Sequence, residues 1–199
     1  MKLVLASQSP RRLELMKLIS SDLAADGLLD TPNFTVIPSD FDESGVEETS
    51  PTALVRRLAY EKASAVRGLC NAEDIIIGCD TVVTLDGGIF GKPSGREDAV
   101  RMLSALSGRT HTVLTGVCIL YGEQSLRFES ASDVTFFALT PGEIESYCDT
   151  PEPYDKAGSY GIQERGSLFV EQIAGDYNNV VGMPASALYR ELKKLLAKR

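Results

Sequence analysis

The sequence predicts an α/β fold, a mixed twisted sheet flanked by helices, and three observations carry that expectation. Short apolar runs alternate with segments of helical spacing along the whole chain. Two pairs of strand-like runs are joined by turns too short for a crossover, so antiparallel pairs must accompany any parallel ones. No internal repeat, low-complexity tract or linker breaks the alternation. At 199 residues the chain makes one large domain or two small lobes, long enough to bury a proper core.

Taken in order, residues 2–6 read as a buried strand and 10–19 as a helix with Leu13, Met16 and Ile19 on one face. Ser9 suits the N-cap and Pro10 the first helical position. A long connection, "SSDLAADGLLDTPN", precedes the strand-like "FTVIPS". Ser50-Pro51 opens a long helix to about Leu69, and "DIIIGC" is a buried strand. A hairpin follows, "TVVTL" and "IFGKP" around a turn at Asp86-Gly87-Gly88. Residues 96–106 form a helix that stops at Gly108. "THTVLTGVCILY" and "SLRFESASDVTFFAL" are long strands around the turn "GEQ". Thr140-Pro141-Gly142-Glu143 has the capping-box pattern and starts another helix. After a Gly-rich loop come the strand "SLFVEQI", the stretch "GDYNNVVGMP" and a C-terminal helix from Pro184.

Composition narrows the function. Apolar residues make 43% of the chain and charged ones 24%, ordinary for a soluble globular protein. A net charge of −8 argues against a general nucleic-acid binder, which neutralises phosphates with a basic surface. Any anion site must be local, built from a few placed cations. Cys70, Cys79, Cys118 and Cys148 show no CxxC pairing, so reduced thiols are expected. His111 is the only histidine, which removes multi-histidine zinc sites. It has no serine in a nucleophile-elbow sequence to partner it, and reads as structural or a minor contact. The opening apolar run is too short for a signal peptide and no later stretch could span a bilayer, so the expected compartment is the cytoplasm.

Four features carry chemistry. The first is the handover from strand to helix at Ser7, Gln8 and Ser9, where backbone N–H groups point outward towards an anion. Arg11 and Arg12 fall in the first helical turn, the electropositive end, where cations cost a few tenths to about one kcal/mol each unless an anion compensates. They either bind phosphate or are surface arginines at a solvated helix start. The second is Lys62, which lies in a stripe with Leu54, Leu58 and Val66, flanked by Val55, Ala59 and Ala63. Its ammonium either snorkels out to water or meets an anion where the stripe ends at a polar cleft.

The third feature is "IIIGCDTVV", where an apolar strand is expected to end at Gly78-Cys79 and deliver Asp80-Thr81 at its carboxyl end, the usual ligand edge of an α/β sheet. Asp80 there is a metal ligand, a base, or only a turn-capping residue. Lys92 in "GKP" adds a cation beyond the hairpin. The upstream "SDFDES" offers Asp40, Asp42 and Glu43, oxygens for a Mg²⁺ that also touches substrate phosphates, or else an exposed acidic loop. The fourth is "EPYDKAGSYGIQERG", with Lys156, three glycines and Gln163. Its backbone could approach a ligand closely, and Gln163 can donate and accept at once, as the imide edge of uracil or thymine requires.

Together "LASQSPRR", "DTVV" with "GKP", "SGRTHTVLTGV", "EPYDKAGSYGIQ" and "NNVVGMP" resemble the Maf family of nucleoside triphosphate pyrophosphatases, in order over nearly the whole chain. The resemblance implies a single domain over residues 1–199, an elongated two-lobed shape with a central cleft, similar to inosine triphosphate pyrophosphatases. It implies cleavage between the α and β phosphates with a divalent cation, Mg²⁺, Mn²⁺ or Co²⁺. The family's catalytic aspartate falls on Asp80 and its other polar active-site positions on Glu43, Lys62 and Lys92. Positions associated with base choice fall on Arg12, Thr81 and Gln163, a set that looks like the dTTP/UTP subgroup. The 7-methyl-GTP subgroup usually shows a tryptophan near Arg12 and an acidic residue near Gln163.

The expected mechanism then places Ser7, Ser9, Arg11, Arg12 and Lys156 on the nucleotide and the metal on Glu43 and Asp80. Asp80 activates a water for attack on the α phosphorus, and Lys62 and Lys92 stabilise the leaving pyrophosphate. Alternatives are a pyrophosphatase preferring 7-methyl-GTP and a non-catalytic nucleotide sensor. The expected partner is the nucleoside triphosphate, with no nucleic acid and no membrane; a homodimer stays open. The link at residues 20–33 looks longer than the family's usual one and is expected to be a surface excursion.

Overall fold

The computed structural model describes residues 1–46, 48 and 50–198. Among them, strands β1 (Leu3–Leu5), β2 (Phe34–Val36), β3 (Ile75–Leu85), β4 (Gly88–Phe90), β5 (Thr110–Tyr121), β6 (Gln124–Phe136) and β7 (Val170–Ala174) form one mixed sheet. Its order is β2-β1-β3-β5-β6-β7, with β4 paired to β3. The helices are α1 (Pro10–Ala25), α2 (Pro51–Ala65), α3 (Arg96–Leu106), α4 (Pro141–Cys148), α5 (Tyr177–Val181) and α6 (Ala185–Leu196). The chain divides into two compact units. One comprises Met1–Asp80, Thr115–Ser130 and Gly182–Arg199, the other Thr81–Leu114 and Ala131–Val181.

In the first unit, strand alternation sorts the side chains into two cores. β1 runs parallel to β2 and β3, with Leu3, Val4 and Leu5 opposite Ile75, Ile76 and Ile77. Leu3, Leu5, Ile75, Ile77, Cys79, Val117 and Ile119 pack with Met16, Ile19 and Leu23 of α1 and Leu188, Leu192 and Leu196 of α6. Val4, Ala6, Ile76, Cys118 and Leu120 face the other way, onto Ala59 and Ala63 of α2 and onto Val66. Two glycines seat α2. A Cβ at Gly78 would stand 2.1 Å from the Ala59 carbonyl oxygen, and one at Gly116 2.2 Å from that of Val55.

In the second unit, β3 and β4 are antiparallel across a two-residue turn, with Asp86 and Gly87 at positive φ and Gly88 already opposite Leu85. β6 and β7 are antiparallel too. Val83, Leu85, Val113, Val134 and Phe136 pack against Leu103 and Leu106 of α3 and Ile144 and Tyr147 of α4. The expected capping box is present, Thr140 and Glu143 each closing on the other's backbone N–H. His111 is buried edge-on to Phe136 and Tyr160, with Nε2 2.8 Å from the Tyr160 hydroxyl. Among the described residues its Nδ1 has no partner, and burial pushes its pKa down to about 4. The histidine is a core residue.

Several expected boundaries change. α1 continues to Ala25, because Ser20 and Leu23 extend the buried face of Met16 and Ile19. Residues 20–25 of the expected excursion are therefore helix. Asp26, its C-cap, accepts from the Tyr189 hydroxyl at 2.6 Å and Lys193 Nζ at 2.7 Å, and those bonds hold its carboxyl below the usual range. "DIIIGC" and "TVVTL" are one strand, since β3 changes partner from β1 to β4 without a break. The expected strand 34–39 covers only Phe34–Val36, and β4 ends before Gly91. The helix from Ser50 ends at Ala65 and a 3₁₀ turn covers Arg67–Leu69. Residues 165–169 form a 3₁₀ turn before β7, and "GDYNNVVGMP" holds α5.

Candidate active site

Asp80 lies inside β3, three residues beyond Ile77, the last partner of β1. It is thus at the carboxyl end of the parallel segment although the strand continues. Its parity is that of Ile76 and Gly78, which turns it towards α2. Lys62 stands in the last turn of α2, where the helix dipole favours a cation. The glycine seat brings the helix in. Lys62 Nζ donates to Asp80 Oδ1 at 2.5 Å and lies 2.8 Å from Glu43 Oε1. Of the two outcomes open for Lys62, the structure shows the meeting with anions, and its side chain is only 15% exposed.

The acidic loop is also sorted. Asp42 Oδ1 accepts from Ser44 N at 2.9 Å, a turn bond that holds its carboxyl below the usual range. Asp40 is exposed, and Glu43 is the one of the three that reaches Lys62. Glu43 and Asp80 can converge on one cation, because the ammonium already shows them doing so. Two carboxylates plus phosphate oxygens suit Mg²⁺, which seldom takes an all-protein cage. Among the described residues no three His, Cys, Asp or Glu side chains gather for a metal.

The strand-to-helix turn lies in the same unit, at the carboxyl end of β1. Ser9 takes the N-cap place, but its side chain makes no cap bond. Its N–H goes instead to Ser7 Oγ at 3.2 Å, and Arg12 Nη1 reaches the same oxygen at 3.5 Å. Arg12 Nε donates to the Gly182 carbonyl at 2.8 Å, so the stretch before α6 aims this arginine. Arg11 is half-buried beside it, and the first turn holds no acidic residue. Cys79 ties the groups together. Burial pushes its thiol up to about 11, while Arg12 and Lys62 pull it down and Asp80 pushes it up. Three site charges act on one buried sulfur.

The other expected residues belong to the second unit. Thr81 is half-buried on β3, and Lys92 is exposed in the turn after β4. Gly158 N donates to the Gly91 carbonyl at 3.0 Å, joining that turn to the Gly-rich loop. Gln163 is exposed on the loop. Lys156 is buried, its ammonium taken by the Glu152 carbonyl and Asp155 Oδ1, each at 2.7 Å. Sequence reasoning overlooked Gly182 and Glu152. "NNVVGMP" was a motif without a role, and a glutamate in a polar loop carries no sign of being buried.

Fold and site define an α/β protein that carries, in one unit, a strand-to-helix turn with two arginines and a carboxylate–lysine cluster. The Maf-like protein family profile matches residues 2–195. A dTTP/UTP pyrophosphatase of Bacillus cereus is 46% identical over 193 residues, covering 97% of this chain and 95% of that protein. One of Thermosipho africanus is 46% identical over 189 residues, covering 95% and 91%. The Staphylococcus aureus Ham1 protein superposes with a TM-score of 0.52 at 18% identity, covering 98% of this chain and 99% of that one, so the two share a fold. The chain belongs to the Maf-like protein family.

Proposed function

We propose that this protein is a nucleoside triphosphate pyrophosphatase that hydrolyses dTTP and UTP to the monophosphate and pyrophosphate. The observation that carries the reading is the Lys62 ammonium between Asp80 and Glu43, in the unit that also holds the Ser7–Arg12 turn. The names of the relatives support it. In this reading residues 1–199 are one Maf-like domain. Arg11, Arg12 and the N–H groups of the turn hold the phosphates, which supplies the anion that two first-turn cations require. Asp80, with Oδ1 on Lys62, takes a proton on Oδ2 from a water that attacks the α phosphorus. The new P–O bond forms as the bond to the bridging oxygen breaks, and pyrophosphate leaves. Lys62 and Lys92 stabilise the charge that builds on the leaving group.

Glu43 and Asp80 would hold a divalent ion, which supplies charge neutralisation on the phosphates and a more acidic water. Thr81 and Gln163 face the base, and the Gln163 amide matches the imide edge of a pyrimidine. The four free cysteines suit a reducing compartment such as the cytoplasm. Among the described residues no helix is long and apolar enough to cross a membrane. The test is pyrophosphate release from dTTP, UTP, CTP, ATP, GTP and 7-methyl-GTP with Mg²⁺, Mn²⁺ or Co²⁺. Release from dTTP and UTP is expected to lead the panel. Nucleotide binding with no release from any of them would make the protein a sensor instead.

A further inference from the structure

Glu152 is buried, 7% exposed, and the chemistry above does not use it. Its backbone and its side chain hold opposite ends of one loop. At the near end its carbonyl accepts from Lys156 Nζ at 2.7 Å. At the far end Oε2 accepts from Arg165 N and Oε1 from Gly166 N, both at 3.1 Å. The span between, 156–166, carries Gln163 two residues before the clasped amides.

The loop closes tightly around this residue. A Cβ at Gly161 would stand 2.7 Å from Lys156 Cε and 3.0 Å from Glu152 Oε1, and one at Gly166 2.5 Å from the Gly161 carbonyl oxygen. Gly161 N donates to the buried Tyr147 hydroxyl at 3.1 Å. Two amides on a buried carboxylate are charge-assisted bonds, stronger than neutral ones, and they fix the backbone next to Gln163.

We propose that Glu152 is a positioning residue for base recognition: its carboxylate and carbonyl clasp the two ends of the 156–166 loop and so set where Gln163 presents its amide. This rests on Gln163 reading the base. The Gln163 side chain is exposed and makes its selection only if the backbone beneath it is held. Without the clasp the side chain remains but its place is lost.

The experiment compares kcat/KM for dTTP and CTP in wild type, Glu152→Ala, Gln163→Ala and the double variant, with melting temperatures alongside. Glu152→Ala is expected to lower the dTTP:CTP ratio about tenfold, close to the effect of Gln163→Ala. The double variant is expected to be no less selective than Gln163→Ala alone, because both act through one amide. Glu152→Gln keeps one acceptor oxygen and should recover part of the ratio; it carries the test if the alanine variant does not fold. An equal loss for both bases, with Gln163→Ala still changing the ratio, would show Glu152 supporting the fold only and overturn the proposal. A ratio unmoved by Gln163→Ala would overturn the base reading itself and the proposal with it.

Discussion

Lys62 holds Asp80 and Glu43 by one ammonium, so removing that ammonium acts on charge far more than on packing. Lys62→Met keeps the stem in the α2 stripe. Turnover of dTTP should fall about a hundredfold or more, as when one stabilising donor is lost from an active site. With the competing cation gone, Mn²⁺ should bind the nucleotide-free variant more tightly than wild type, read by electron paramagnetic resonance. A fall in melting temperature with kcat intact would mark the lysine as a packing element. Asp80→Asn should abolish turnover while calorimetry still detects dTTP, since the amide keeps the shape and loses the proton acceptor. His111 gives the pH prediction. Its folded pKa of about 4 lies below the ordinary 6.5, so the unfolded chain binds the proton first. This contribution is constant above 6.5, and stability falls as pH drops from there towards 4, by at most ~1.4 kcal/mol per pH unit. His111→Phe should flatten that slope in denaturant titrations, and the single imidazole signal in NMR should titrate near 4.

At the scale of elements, the seat of α2 sets the geometry around Lys62. Gly116→Ala would push a Cβ to 2.2 Å from the Val55 carbonyl, so the helix must move off the sheet. Overpacking of this kind costs about 1–3 kcal/mol. The same movement draws Lys62 from Asp80, and misplacing a catalytic group by an ångström is worth about a hundredfold in rate. Gly116→Ala should therefore lower both kcat and melting temperature, whereas Gly68→Ala, with nothing within 4 Å of the new Cβ, should change neither. The end of α1 behaves differently. Deleting residues 24–29 removes Asp26, with its bonds to Tyr189 and Lys193, and Leu28 and Leu29, which pack on the core. Melting temperature should fall while kcat of the folded fraction holds. A loss of kcat would give the segment a part in the reaction.

For the whole molecule, the claim is a choice among nucleotides. Gln163→Glu keeps an acceptor for the pyrimidine N–H and replaces the donor with a carboxylate oxygen facing a carbonyl. An unmatched polar group costs about 1–3 kcal/mol, more when charged, so kcat/KM for dTTP and UTP should fall about tenfold or more. GTP, whose edge presents N–H donors, should lose less or gain. Equal losses across dTTP, UTP, CTP and GTP would remove Gln163 from base recognition.

The sequence by itself determined what depends on near neighbours. Apolar spacing marked α3 and β5 to the residue, because burial of one face repeats at 3.6 or 2 residues wherever the partner lies. The Thr140–Glu143 box and the Asp86-Gly87 turn were legible because both are closed by residues one turn apart. Pro10 marked the start of α1, because its fixed φ and missing N–H suit the first helical position. Tertiary structure decided the rest. Lys62 and Asp80 are 18 residues apart and meet only because Gly78 and Gly116 let α2 approach the sheet. Three neighbouring acids carry no local sign of which reaches that lysine, and only the family resemblance singled out Glu43. The partners of Lys156 inside its own loop and the burial of Glu152 likewise carry no local sign. A side chain's periodicity says which way it faces; its partner is set by how closely distant backbones pack, and no local pattern encodes that distance.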